Sequence, residues 1–307
     1  MIDTLNMMIG SKLMSGMSPL SIDKYISMDK TGIYVRKGTP YIVGHINNYR
    51  VYADDNGIRL SGSIAKLSKG ENVSTPTHKD IDNGLQLLSD TLHLDVGMAS
   101  VLRIDIACTF GMSNPVANYL NLLTSIPGYE RASVGDNSLY FYSPNRKLYF
   151  YDKRAELYSR GERIPRTWLN IPNLLRYEMR FNWTVGKQIV QDTLKASCLR
   201  ERQPMVRLAR LWAQGYQHIA KKQDDPFLKV ITPKDTINVM FIDLLRNAPD
   251  NYLDNVNERL KQAGHLDKKR RYRMRQQIEG KMRLYNNPLI NELDAKIESA
   301  KASLGGW

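Results

Sequence analysis

Two periodicities divide this chain. Up to about residue 181, short runs alternate apolar and polar positions, the period of strands with one face buried. Beyond about residue 185, apolar residues recur every three or four positions, as on amphipathic helices. Residues 31–67, TGIYVRKGTPYIVGHINNYRVYADDNGIRLSGSIAKL, read as β-runs separated by turns. The DDNG sequence at Asp54–Gly57 predicts a hairpin, because Asn-Gly tolerates the positive φ of a tight reversal. Ser68–Asn72 reads as a loop, and Ile81, Leu85, Leu88 and Leu92 share one face of a helix predicted over Thr77–Leu92.

Two further strands share a pattern. In ASVLRIDIACTF, Leu102, Ile104 and Ile106 alternate with Arg103, Asp105 and Ala107; in LLRYEMRF, Leu175, Tyr177, Met179 and Phe181 alternate with Arg176, Glu178 and Arg180. Each has an apolar face and a polar face carrying one acid. Between them lie a helix predicted over Asn114–Ser125 and a hairpin turned at Ser143–Arg146 that bears Tyr140, Tyr142, Tyr149 and Tyr151. The pattern predicts an α+β protein: residues 1–185 form a mostly antiparallel sheet flanked by helices, and residues 186–307 a helical, basic region.

Charge narrows the partner. Forty-four Lys and Arg against 31 Asp and Glu give a net charge of +13, which points to a polyanion such as nucleic acid, with an anionic membrane surface as the rival. Lys268, Lys269, Arg270, Arg271, Arg273 and Arg275 cluster in DKKRRYRMRQQIEGKMR, a helix expected to contact phosphates. No apolar run is long enough to span a bilayer. The start MIDTLNMMIGSKLM has an early Asp3 and no cleavage-type signal, so a cytoplasmic protein is expected. Cys108 and Cys198 read as buried thiols of a reducing compartment. The five histidines show no HxH or HxxxH spacing, so neither zinc nor a paired-histidine metal site is supported.

Candidate chemistry lies in the segment Leu139–Phe181, where tyrosines meet Asp152, Lys153 and Glu156 and then the Arg176, Glu178, Arg180 strand. A phenol with an ordinary pKa of about 10 needs a base, a cation or a metal-polarised target before it attacks. Its attack on a phosphodiester would leave a 5'-phosphotyrosyl link that conserves the energy of the broken bond. Asp105 and Glu178, brought together, would offer the oxygen ligands magnesium prefers. The competing expectation is a cross-strand ion pair with Arg103, Arg176 or Arg180.

MIDTL at the start, LSGSIAKLSKGEN at Leu60–Asn72, RIDIA at Arg103–Ala107, KLYFYDKRAEL and LLRYEMRF, in that order, resemble the filamentous-phage gene II family of replication initiators. More distantly they resemble rolling-circle plasmid initiators that use one tyrosine and no paired histidines. The resemblance covers about residues 1–185. It implies a metal-dependent, site- and strand-specific endonuclease that nicks origin DNA, becomes joined to the 5' end, leaves a 3' hydroxyl for the host polymerase, and later rejoins the displaced strand. It implies Tyr151 as nucleophile, with Tyr149 next; Asp105, Asp152 and Glu178 as ligands of Mg²⁺ or Mn²⁺, with Glu156 a further candidate; and Lys153 near the phosphate. Where the plasmid initiators carry a second acid four residues after the aspartate, this chain has Thr109. Host helicase and polymerase are the expected protein partners, with a homodimer as one option. The rival readings are a non-enzymatic DNA-binding protein and a relaxase or transposase using the same chemistry. Asp152 has an alternative of its own, as cap of the helix that follows it.

Overall fold

The computed structural model describes residues 2–14, 16–29, 32–182, 185–190, 192–222, 232–246, 248, 252–264, 267–284 and 287–305. The chain divides into two compact units, Met1–Ala220 with Ala295–Trp307, and Lys221–Asp294. The first contains β1 Ile2–Gly10, β2 Ser27–Met28, β3 Tyr34–Arg36, β4 Thr39–Ile46, β5 Tyr49–Asp54, β6 Gly57–Ser63, α1 Ile64–Lys69, α2 His78–Leu92, β7 Ser100–Met112, α3 Val116–Leu120, β8 Leu123–Ser125, β9 Glu130–Val134, β10 Ser138–Tyr142, β11 Arg146–Asp152, α4 Lys153–Ser159, β12 Asn173–Phe181, α5 Val185–Ile189 and α6 Arg202–Gln217. The second contains α7 Pro233–Arg246, α8 Tyr252–Gln262 and α9 Lys268–Leu284; α10, Pro288–Gly305, follows.

Among the described residues, eleven strands form one sheet in the order β2-β4-β5-β6-β1-β7-β12-β11-β10-β9, with β3 paired to β4. Its pairings are antiparallel, as the alternation predicts for an α+β fold. One face is apolar and buried. There Phe150, Tyr177 and Trp212 form a stack with ring centroids 4.4 and 4.8 Å apart, and the Tyr177 hydroxyl donates to the Trp212 carbonyl at 2.9 Å. Gly215 lets α6 approach: a Cβ there would lie 2.9 Å from Tyr177 Oη.

The hairpin between β5 and β6 turns at Asp54–Gly57 as expected, with Gly57 supplying the positive φ. Residues 64–69 are helical rather than extended. The Ser63 hydroxyl accepts from Lys66 N, and Gly70, at φ 75°, ends the helix in the left-handed conformation. The helix predicted over Asn114–Ser125 shortens to α3, because Leu123–Ser125 turns extended and Thr124 Oγ1 donates to the Ala220 carbonyl at 2.8 Å. Between α5 and α6 the chain forms no α-helix among the described residues, only a 3-10 turn at Ala196–Arg200. It runs beside the start of β7, where Val101 N donates to Leu194 O and Ala196 N to Ala99 O. Cys108 is buried, whereas Cys198 is only partly so. No described helix is long and apolar enough to cross a membrane.

Candidate active site

The polar face is built by register. Asp105 lies opposite Arg180, Ala107 opposite Glu178, and Thr109 opposite Arg176. Across the next ladder, Tyr149 pairs with Glu178 and Tyr151 with Arg176. Residues directly opposite in a sheet share a face, so Asp105, Glu178, Tyr149 and Tyr151 stand together.

Asp105 is clasped. It is 1% exposed, accepts from Arg180 Nε and Nη2 at 3.0 Å each, and takes a second guanidinium from Arg103. Arg180 Nη2 also lies 3.8 Å from Glu178 Oε1. A guanidinium therefore sits between the two acids expected to share a divalent ion. The other expected ligands are also engaged. Asp152 caps α4, its Oδ1 accepting from Ala155 N at 3.0 Å, and Glu156 pairs with Lys153 Nζ at 2.7 Å and Arg160 Nε at 2.8 Å. Among the described residues no three Asp, Glu, His or Cys side chains form a cluster suited to a metal. The donor set, each member already paired to a cation, a backbone amide or a phenol, does not fit Mg²⁺ or Mn²⁺ as it stands.

Glu178 behaves differently from Asp105. Arg176 and Arg180 approach it only to 4.0 and 3.8 Å, too far for hydrogen bonds. Burial, with the repulsion of Asp105 and Asp3, prevails over them and pushes its pKa up to about 7. Its Oε2 faces the Tyr151 hydroxyl at 3.4 Å. Burial raises the Tyr151 phenol well above 10, with Arg176 opposing and Glu178 adding to the rise. Tyr149 is pushed up to about 12, again by burial first, and the Arg180 guanidinium lies 5.1 Å over its ring.

Tyr151, Glu156, Arg160, Glu178 and Arg180 line two adjoining cavities. One, of about 470 Å³, is aromatic, with Tyr140 and Tyr149 in its wall. The other, of about 340 Å³, is polar, with Thr4, Asn48, Lys66 and Arg103. The pair Tyr151 and Glu178 stands where they meet. Lys153 lines neither: it is 1% exposed, its Nζ held by Asn72 Oδ1 at 3.0 Å and by Glu156. Burial and the nearby Arg176 charge lower its pKa.

Alternation alone hides part of this site. Leu5, Met7 and Ile9 of β1 are buried, and strict period two would put Asp3 with them. A β-bulge between Ile2 and Thr4 turns it instead to the polar face. There Asp3 Oδ2 meets Arg176 Nη2 at 2.9 Å and Oδ1 accepts from Ser63 Oγ at 2.8 Å. Burial works against its charge, yet Arg176, Ser63 and Lys153 outweigh it and hold its pKa below the ordinary value. Arg176 Nη1 also donates to Asn72 O at 2.6 Å and Thr109 Oγ1 at 3.0 Å, so Thr109 serves a guanidinium. Asn72 sits on the loop that Gly70 opens, and its role is set by long-range contacts that no local pattern announces.

In the second unit, Lys268, Lys269, Arg270 and Arg273 of α9 are exposed, as is Tyr272; Asp267 Oδ2 lies 3.8 Å from Arg270 Nε. Arg271 and Arg275, expected with them to touch phosphates, have side chains outside the described residues.

A family model for the N-terminal part of the phage replication-associated protein, the gene II protein, matches residues 1–199. No curated protein matches. Among solved structures, the di-domain ARO/CYC StfQ from the steffimycin biosynthetic pathway is 9% identical, covers 72% of this chain and 97% of its own, and has a TM-score of 0.20, a likeness that carries no argument.

Proposed function

The chain belongs to the gene II family of phage replication-associated proteins, and from that premise we propose that it initiates DNA replication by nicking one strand of an origin through Tyr151. The observation that carries this reading is the Tyr151 hydroxyl, 3.4 Å from a Glu178 carboxylate with a pKa of about 7, at the junction of an aromatic and a polar cavity.

A phenol whose pKa lies well above 10 is a poor nucleophile at neutral pH, so a proton acceptor has to stand beside it. Glu178 is that acceptor, ionised in about half the molecules near pH 7. As the Tyr151 oxygen bonds to phosphorus, its proton passes to Glu178, the bond from phosphorus to the 3' oxygen breaks, and that oxygen takes a proton from water. Charge developing on the phosphate faces the guanidiniums of Arg180 and Arg103. Tyr140 and Tyr149 offer aromatic faces to an unstacked base. Rejoining is the reverse: the 3' hydroxyl attacks the phosphotyrosine and Glu178 returns the proton. We assign no step to Mg²⁺ or Mn²⁺, because the acids expected to hold the ion are engaged as described. Asp3, Asn72 and Lys153 act as positioning residues, fixing Arg176 and α4. The exposed cations of α9 contact the phosphate backbone of origin DNA.

The test is a denaturing gel of end-labelled, single-stranded origin oligonucleotide incubated with the full chain. Wild type is expected to yield a covalent adduct that Tyr151→Phe does not form while still binding DNA. An adduct that persists in Tyr151→Phe refutes the assignment of the nucleophile. Binding with no adduct from wild type, with or without Mg²⁺, favours a purely DNA-binding protein.

A further inference from the structure

The open face of the sheet continues well past the candidate site. At its far end Tyr34, Tyr41 and Tyr52, from β3, β4 and β5, form a continuous stack. The ring centroids are 5.4 and 5.3 Å apart and the planes 25° and 26° from parallel. All three are partly exposed, and Arg36, Arg50 and Arg59 around them are exposed. Among the described residues these arginines form no ion pair. Of the nearby acids, Asp29 pairs with His45 at 2.7 Å; Asp54, opposite Tyr41, accepts from Asn56 N at 2.9 Å and acts by charge and hydrogen bond on the Tyr52 phenol, so the platform carries one acid among three arginines.

Register joins this patch to the Tyr151 groove along one face. Tyr52 lies opposite Arg59 and Arg50 opposite Ser61; Ser61 lies opposite Asn6, and Asn6 opposite Arg103, which lines the polar cavity. Every step is polar or basic. Asn6 Oδ1 is buried without a hydrogen-bond partner. A packing cluster would be expected to hide its rings and neutralise its charges, whereas this one leaves flat π-faces and unpaired guanidiniums at the surface. Base stacking plus phosphate attraction is the chemistry such a surface selects, and single-stranded nucleic acid presents both.

We propose that Tyr34, Tyr41 and Tyr52, with Arg36, Arg50 and Arg59, form a second docking platform for single-stranded DNA, holding the strand whose phosphate is engaged at Tyr151. The proposal deepens the nicking reading and rests on it for the strand's identity. Five strand spacings separate β5 from β11, about 24 Å at 4.8 Å each. A strand kept stacked at about 3.4 Å per nucleotide needs about seven nucleotides to bridge that distance, and an extended one, at about 6 Å each, about four. Length dependence is therefore the signature: a strand too short to reach both places gains nothing from the platform.

The experiment measures binding of fluorescein-labelled oligothymidylates of about 3 and about 20 nucleotides to the full chain by anisotropy. Tyr41→Ala/Tyr52→Ala is expected to weaken binding of the longer probe by about five-fold or more and to leave the shorter one unchanged. Tyr41→Phe/Tyr52→Phe, which keeps the π-faces, restores it. Should the alanine pair fail to fold, Arg50→Glu/Arg59→Glu on exposed side chains reads the same length dependence. Equal loss for both lengths, or no loss for the longer one in a folded variant, overturns the platform. Adduct formation on a short origin oligonucleotide, unchanged in the platform variants and lost in Tyr151→Phe, reports separately on the nicking reading, so the two fail independently.

Discussion

Replacing Glu178 by Gln should make the protein more stable and less active at once. Glu178 is 8% exposed, and its pKa in the folded chain is about 7 against an ordinary 4.5. The folded chain holds this proton up to about pH 7, whereas the unfolded chain releases it near 4.5. Between those values the folded state binds more protons, so stability falls as pH rises. The contribution is fully present below about pH 4.5 and is lost as pH passes through about 7. A difference of about 2.5 units at about 1.4 kcal/mol each amounts to about 3 kcal/mol at pH 8. Gln has the same shape and no charge to bury, and it forgoes only guanidinium approaches of 3.8 and 4.0 Å. Urea unfolding followed by circular dichroism at about pH 5 and about pH 8 is expected to show Glu178→Gln gaining over wild type mainly at the higher pH, by up to about 3 kcal/mol. The same variant lacks the proton acceptor and should form adduct far more slowly. A variant less stable than wild type at pH 8 would refute the reasoning and make Glu178 an ordinary ion-pair partner.

Asp105→Asn should do the opposite, since it strands two partly buried guanidiniums; a loss of about 3 kcal/mol is expected in urea unfolding, and an unchanged midpoint would mean the clasp contributes nothing. Asp152→Ala removes the cap of α4 and is expected to cost about 1 kcal/mol, read in the same titration; loss of adduct with no loss of stability would instead give Asp152 a part in the chemistry. Millimolar Mg²⁺ should leave the melting temperature of the DNA-free protein unchanged, because its candidate ligands are already paired; a saturable rise would reveal a metal site in the resting protein.

The strands are legible because period two is a strong signal wherever one face meets a core. That is why Asp105 and Glu178, separated by more than seventy positions in sequence, can be expected on one polar face. The same signal misleads at Asp3, where a bulge shifts one residue and strict alternation assigns it to the apolar side. Helix α1 is hidden for a different reason: its start rests on one hydroxyl, Ser63, and its end on Gly70, both of which also suit turns. The partners of Asp105 are among the arginines expected from sequence, but periodicity specifies only the face of the sheet. Which cation fills the space between two acids depends on side-chain reach across neighbouring strands, and here Arg180 spans from Asp105 to within 3.8 Å of Glu178.

The central claim is that the Tyr151 oxygen is the atom that takes the phosphate. The most direct measurement is tandem mass spectrometry of the tryptic digest after trapping the covalent complex on an origin oligonucleotide. Cleavage after Lys147 and Lys153 releases the peptide LYFYDK, which contains both Tyr149 and Tyr151. The account predicts fragment ions carrying the nucleotide on Tyr151. A nucleotide on Tyr149, or on any peptide other than this one, would contradict it.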